Sequence, residues 1–438
     1  MSDTKYAFPQ FAFYDRTGIR AYLEKQAEKG WILEEIGQFC WKFARTYPRK
    51  LHYTVVYFPK ADLFDPEPGE QEQTFRDFCA HGGWTLAGAS AQMQIFYTEA
   101  EHPTPIETDP VIEVENIHKS MKKSALPGDW LMLVLAVLQL GLQVWTASEH
   151  PLDVLCSNLN LFMVVFWIVF FGLTVIRLVR YFRWHRRAVA AAEEDGIFVE
   201  TKDNRLPETV VLIGLVVLLF VMLFGLEDKR KTIVMLFGMA MTLVVIVLVL
   251  LFRGKLKREG YDAKTNKIAT VVACVVLSLV VTGVGNIFVG GAIMNSHWPR
   301  SEESDSRLSL ADLWGEGEYD PLVLKDEGSV LLDYYKMAEV PEGSLMTPRI
   351  QYEMVTVKVP ALYEICRKDL MDESDHYAGA AYLSVDPAPW GAEEAWQFDN
   401  GDELRGWYVL CYADTIVQFH ADWVLTTEQM ATVGEIFG

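Results

Sequence analysis

The chain reads as a multi-domain membrane protein in three parts: an α+β lobe, a five-helix transmembrane bundle and a second α+β lobe. Three observations predict this. Residues 127–294 hold five apolar runs, each close to or above the roughly 20 residues that a helix needs to cross a hydrocarbon core of about 30 Å. The first hundred residues repeat a corner, Gly30-Trp31-x-Leu33 and Gly83-Trp84-x-Leu86. The last hundred alternate strand-like runs with capped helices. The predicted parts are a lobe over 1–100, a linker and basic collar over 101–126, spans over 127–294 and a lobe over 295–438.

In the first lobe, 11–14 reads as a strand. Residues 17–29 read as a helix with Ile19, Leu23 and Ala27 on one face. Gly30 ends it, because a glycine tolerates the left-handed turn common at helix ends. Trp31 opens a strand, and Cys40-Trp41-Lys42-Phe43 alternates as the next. The pattern then returns: a strand over 53–58, a helix over 71–80 with Phe75, Phe78 and Cys79 inward, Gly82-Gly83, and strands at 84–86 and 94–97. Only the second copy carries an acidic, proline-containing insertion, 62–72. Two such units can form one antiparallel sheet with both helices on a single face.

This lobe is rich in aromatic residues, which have two readings: a packed core, the simpler one, or a recognition cleft on a free sheet face displaying Trp31, Trp41 and Trp84. No Gly-rich phosphate loop and no nucleophile with an attached base can be picked out. Residues 99–116, rich in Glu, Pro and Thr, read as a linker. His118 to Lys123 then form a basic collar that attracts anionic headgroups.

The expected spans are 130–147, 159–179, 209–226, 232–252 and 268–294. Their interiors carry almost no ionisable groups. Fifteen Lys and Arg lie in the collar just before the first span (Lys119, Lys122 and Lys123) and in the loops after the second and fourth, against three in the other two loops. The rich side should be cytoplasmic. This puts the N-terminus inside, the C-terminus outside, and the protein in the cell membrane. The first span is expected to direct insertion, since Met1 to Phe8 contain no apolar run. In the fifth span Gly283, Gly285 and Gly290 surround Asn286. Close helix packing with an interhelical hydrogen bond is the simpler reading; a broken helix lining a transport site is the alternative.

Of the net charge of −20, residues 298–438 carry −19. So acidic a lobe argues against nucleic acid as a partner. The six cysteines include no C-x-x-C pair, which removes the common zinc and thiol-redox signatures. Cys366 and Cys411 would share the outer compartment, where a disulfide can persist, although two buried thiols are the preferred reading. In the last lobe, strands are expected at 329–337 and 350–359. Both faces of the second are mixed, so its buried face is ambiguous. Pro360 starts a helix running to Leu370. Residues 406–412 and 415–423 form a hairpin. Thr426 and Gln429 form the capping box of a final helix with Met430, Val433 and Phe437 inward. Asp372-Glu373-Ser374-Asp375-His376 could hold a hard cation but lacks calcium-loop spacing, so an exposed acidic turn is preferred. Trp390, between Pro389 and Gly391, either plugs the core or anchors a partner.

The sequence around Lys29-Gly30-Trp31-Ile32-Leu33, Trp41-Lys42-Phe43 and Gly83-Trp84-Thr85-Leu86 resembles a bacterial, Firmicutes-type membrane-protein family known as domain of unknown function 2812. The likeness spans about residues 7–100. Asp386 to Ala392 and 425–437 also resemble the tail of longer members. The resemblance implies a membrane protein whose genes often neighbour PadR-type regulators, with no established activity and no catalytic residues to carry over.

The expectation is therefore a non-enzymatic protein coupling an outer acidic domain to a cytoplasmic binding domain, in envelope sensing, regulation or assembly. Membrane lipid and a protein on either side are the expected partners, and no cofactor, metal or catalytic residue is assigned. The rivals are a transporter or transporter subunit, and an outer hydrolase using Asp372, Asp375, His376 and Glu393.

Overall fold

A computed structural model describes residues 3–37, 40–201, 205–224, 229–295, 307–315, 317–341, 348–371, 381–399 and 404–438, without the side chains of 229–234, 286–295, 320, 404 and 405. It divides into two compact units, residues 1–137 with 168–290, and residues 138–167 with 291–438.

The first unit begins with β1 (Thr4–Ala7), α1 (Arg16–Glu28), β2 (Trp31–Ile36) and β3 (Trp41–Arg45). A second copy follows as β4 (His52–Tyr57), α2 (Glu70–His81), β5 (Thr85–Ser90) and β6 (Met93–Thr98). The duplication is visible in the pairing. Each copy makes its own three-stranded antiparallel sheet with its last strand central, in the orders β1-β3-β2 and β4-β6-β5. Leu33 faces Phe43 and Leu86 faces Phe96, and a bulge follows each leucine. Gly30 and Gly83 occupy matching left-handed corners, at φ of +76° and +81°. The sequence suggested one sheet; there are two, and Gly88 of β5 packs on Ile36 of β2 without joining its ladder.

Two local expectations change here. Residues 11–14 are not a strand: Ala12 and Tyr14 are buried in a turn, and Asp15 caps α1 by accepting from the Gly18 N–H at 2.9 Å. The first strand is β1, which precedes them. On α2, Cys79 points inward as expected, but Phe78 is 66% exposed.

The expected linker also contains structure. α3 (Pro110–Lys123) starts where Asp109 accepts from the Val111 N–H at 2.9 Å and Pro110 takes the first helical position. Its Val114, Ile117 and Met121, spaced three and four apart, enter the core of the lobe.

Among the described residues five helices are long and apolar enough to cross a membrane. They lie within α4 (Ala125–Glu149), α6 (Asn158–Glu194), α7 (Leu206–Phe224), α8 (Lys229–Arg258) and α9 (Ala263–Asn295), with the short α5 (Pro151–Leu155) between the first two. No more than 11% of any apolar stretch is buried within the chain. The spans thus turn their apolar surface outward rather than into a tight bundle core, as lipid-facing helices do.

α6 differs most from its expected bounds. It has 37 residues and continues well past 179, because residues 180–194 are rich in the helix formers Arg, Ala and Glu and contain no Gly or Pro. Gly196, at φ +65°, lies just beyond its end.

In the second unit α10 (Leu310–Trp314) precedes β7 (Tyr319–Gly328), β8 (Leu332–Pro341), β9 (Ile350–Val357), α11 (Tyr363–Leu370), β10 (Ala381–Val385), β11 (Glu394–Asp399), β12 (Leu404–Cys411), β13 (Thr415–Ala421) and α12 (Thr427–Phe437). The strands form one seven-stranded sheet, β10-β11-β12-β13-β9-β8-β7, in which every pair is antiparallel. Both faces are covered. Ile350, Tyr352 and Met354 of β9 join a core with Trp390, Val433 and Phe437, while Val355 and Val357 join another with Cys366, Leu370 and Leu152 of α5. This resolves the ambiguity of β9: neither face is solvated. The hairpin and the capping box form as expected, with Cys411 opposite Ile416 and Thr426 and Gln429 bonded reciprocally.

Candidate functional site

The first unit carries an open cleft of about 330 Å³, lined by Tyr57, Phe58, Pro59, Lys60, Phe75, Glu107, Asn116 and Lys119. β4 delivers Tyr57, whose buried hydroxyl donates to the Phe13 carbonyl. The chain then turns through Phe58, which stacks on Phe75 of α2 at 5.4 Å between ring centroids. α3 contributes Asn116, whose side-chain amide donates to Glu107 at 3.4 Å. Burial pushes the Glu107 carboxyl up from its ordinary value, while Arg16 and the Asn116 bond pull it back. On the rim Lys60 donates to Gln71 at 2.6 Å and Lys119 pairs with Glu115 at 2.8 Å. The lining residues include no serine, cysteine or histidine. The cleft therefore offers an aromatic floor and one half-buried carboxyl, which suits recognition better than nucleophilic chemistry.

Behind the cleft the lobe is built around α3 and the second half of α6. Leu178, Tyr181, Trp184, Ala188 and Ala192 of α6 are buried in the same core as Phe43, Tyr53 and Ile95 of the two sheets. Tyr14 packs on Tyr181 and Trp184 at 5.2 and 4.9 Å. His118 of α3 stacks on His185 at 4.0 Å, and its Nδ1 lies 2.7 Å from the Tyr181 hydroxyl. Burial, with the His185 ring and Lys122 adding to it, pushes His118 down to about 4. Arg16 pairs with the buried Glu113 of α3 and lies over the Phe198 ring at 4.7 Å.

The loops between spans are tied to this lobe as well. Thr17 and Thr201 exchange backbone-to-hydroxyl bonds at 3.1 and 3.3 Å, and the Thr209 hydroxyl donates to Gln10 at 2.8 Å. The acidic insertion of the second copy meets the basic side chains beside the spans. Asp62 pairs with Lys123 at 3.1 Å, the Leu63 carbonyl accepts from Lys257 at 2.9 Å and the Phe64 carbonyl from Asn266 at 3.0 Å.

The tryptophans singled out from the sequence do not share a face. Trp41, Trp84 and Trp390 are 9%, 6% and 2% exposed and belong to cores. Trp84 donates to the Thr104 carbonyl, and Trp390 lies 4.9 Å from the Tyr408 ring. Only Trp31 is half-open, with the Arg45 guanidinium 5.0 Å and the Lys5 ammonium 5.7 Å from its ring. Of the residues that line the cleft, Tyr57 and Phe58 belong to the aromatic set for which the sequence leaves both readings open, Phe75 is expected inward, and Glu107, Asn116 and Lys119 carry no local signal.

Along α9 the helix is unbroken, and a Cβ at Gly283 or Gly285 would meet nothing within 4 Å. Among the described residues these two glycines are therefore not at a close crossing. The side chains of Asn286 and Gly290 lie outside the described residues.

In the C-terminal lobe Asp372, Asp375 and His376 also lie outside the described residues, while Glu393 opens the approach to β11 with its N–H donating to the Cys411 carbonyl at 2.9 Å. Cys366 and Cys411 are free and buried in one core together with Cys156, and burial pushes all three thiols up to about 11. Among the described residues no group of three or more His, Cys, Asp or Glu gathers as metal ligands do.

α5 and the first turn of α6 are held by this lobe. The Leu152 N–H donates to Asp369 at 3.3 Å, and Lys325 pairs with Asp153. Asn158 accepts from the Val330 N–H at 2.9 Å and donates to the Gly328 carbonyl at 3.4 Å.

These features define a multi-pass membrane protein with a strand-rich N-terminal region and a C-terminal sheet domain. Residues 16–127 match the family described as Protein of unknown function (DUF2812), so the likeness carried by the two Gly-Trp corners holds for that segment. The matched segment runs from α1 through α3 into the start of α4, and the C-terminal lobe lies beyond it. No curated protein and no solved structure matches the chain.

Proposed function

We propose that this protein is a non-enzymatic coupler that relays the state of its acidic C-terminal lobe outside the cell membrane to its N-terminal lobe inside, in envelope sensing, regulation or assembly. One observation carries the reading. α6 is a single helix whose first turn is hydrogen-bonded to the C-terminal lobe through Asn158 and whose last four turns are built into the core of the N-terminal lobe. At about 1.5 Å per residue such a helix is roughly 55 Å long, well beyond the thickness of the hydrocarbon core. The helix is uninterrupted over its 37 residues, which supports its use as the relay.

The proposed orientation has independent support in the pattern of contacts. The loops rich in Lys and Arg bond to the N-terminal lobe, whereas the cation-free loop after the first span bonds to the C-terminal lobe. The cleft beside Glu107 is the natural place for an inner partner to read the relay. α9 runs unbroken, so it supplies no discontinuous helix of the kind a broken-helix transport site uses.

Hydrogen exchange on the full chain in lipid nanodiscs tests the relay. Asn158→Ala removes the bond to Val330 and should change exchange both in the C-terminal lobe and at Tyr181 to Ala192. Changes confined to the C-terminal lobe would refute coupling through α6.

A further inference from the structure

We propose that the groove between α4 and α6, at the end of these spans nearest the N-terminal lobe, is a binding site for an anionic phospholipid. The groove measures about 400 Å³, and Trp130 and Leu133 of α4 form one wall. The α6 wall changes character along its length. Val175, Val179 and Phe182 are followed on the same face by Arg183 and Arg186, so an apolar slot opens into a pair of guanidinium groups. From Val179 to Arg186 the helix rises about 10 Å, the scale that separates an upper acyl chain from its phosphate. Trp130, half-exposed at the start of the first span, marks the interfacial depth at which that phosphate would lie.

Charge decides the occupant. Of the arginines on this stretch of α6, Arg177 is paired with Asp129 at 3.7 Å and Arg180 with Glu208 at 2.8 Å. Arg183 and Arg186 are exposed and, among the described residues, have no carboxylate partner; they are also the two that line the groove. No acidic residue is among the lining residues. A guanidinium fork binds phosphate through two parallel hydrogen bonds, whereas the choline ammonium of a zwitterionic lipid would add repulsion at the same place. The geometry therefore assigns the groove to one lipid class rather than to bulk bilayer. A lipid bound there lies along the same stretch of α6, 175–186, whose Tyr181 and His185 contact His118 of α3.

The test uses the full chain reconstituted in nanodiscs of equal phosphatidylglycerol and phosphatidylcholine, released into mild detergent and weighed by native mass spectrometry. Wild type should retain phosphatidylglycerol in preference, by roughly 25-fold if each arginine contributes about five-fold. A photoactivatable phosphatidylglycerol should crosslink to the peptide containing 175–186. Arg183→Gln with Arg186→Gln should abolish the preference, Arg183→Lys with Arg186→Lys should keep most of it, and Arg253→Gln with Lys255→Gln, basic residues elsewhere beside the spans, should leave it intact. Equal retention of both lipids by wild type overturns the proposal whether or not any variant folds. So does a preference that survives the double Gln substitution, a crosslink mapping elsewhere, or a dimer without lipid, which would mark the groove as a contact between copies.

Discussion

Gly30 and Gly83 are equivalent corners of a duplicated unit, yet alanine at the two should cost different amounts. Both sit in the left-handed region, at φ +76° and +81°. There a side chain costs about 1–2 kcal/mol, partly offset by about 0.5–1 kcal/mol from the lost freedom of glycine in the unfolded chain. At Gly83 a new Cβ would meet nothing within 4 Å, so the net loss should stay near 1 kcal/mol. At Gly30 it would come within 2.7 Å of the Thr46 carbonyl oxygen and 3.3 Å of Pro48 Cδ. The Gly30 carbonyl also accepts from the Thr46 N–H at 2.9 Å, so backing away strains that bond. Overpacking adds about 1–3 kcal/mol, which brings Gly30→Ala to about 2–4 kcal/mol. Valine at either position should be worse still. Hydrogen exchange on the full chain reads both corners in one experiment. Gly30→Ala should lower protection of Ile32 and Phe43 more than Gly83→Ala lowers that of Leu86 and Phe96. Equal losses, or a larger loss at Gly83, would refute the steric argument.

Further outcomes follow from other close contacts. Gly434→Ala places a Cβ 2.1 Å from the Trp390 carbonyl oxygen, so α12 must shift and the C-terminal lobe should lose about 1–3 kcal/mol, measurable by its thermal unfolding. Asp109→Ala removes the cap of α3 and should cost about 0.5–2 kcal/mol, seen as faster exchange at Val111 and Ile112, while Asp109→Asn should be nearly silent. His118, held at about 4 when folded, takes up its proton more readily in the unfolded chain. The N-terminal lobe should therefore keep this stability above about pH 6.5 and lose it as the pH falls toward 4. His118→Asn should flatten that part of the stability profile, and an unchanged slope would contradict it.

The membrane spans were legible because length and apolar content are one-dimensional properties that neighbours cannot overrule. The two Gly-Trp corners were legible because a positive φ leaves a glycine in the sequence, and the capping box at Thr426 because its partners are three residues apart. What was missed depends on neighbours. Residues 180–194 were counted as a basic loop, yet Tyr181, Trp184 and Ala188 face a core that the local sequence does not announce. α3 hid behind the Glu and Pro around it, although Asp109-Pro110 and the spacing of Val114, Ile117 and Met121 were there to be read. β7 carries Pro321, tolerated because that strand lies at the sheet edge. The two faces of β9 looked mixed because helices cover both. The cleft beside Glu107 joins residues from 57 to 119 through three elements, and no local spacing encodes it.

A relay across the membrane requires the two lobes to occupy opposite aqueous compartments. Epitope tags at Met1 and Gly438, probed on whole cells with an impermeant reagent and again after permeabilisation, measure this directly. The C-terminal tag should react on intact cells and the N-terminal tag only after permeabilisation. Identical behaviour of both tags would contradict the relay through α6.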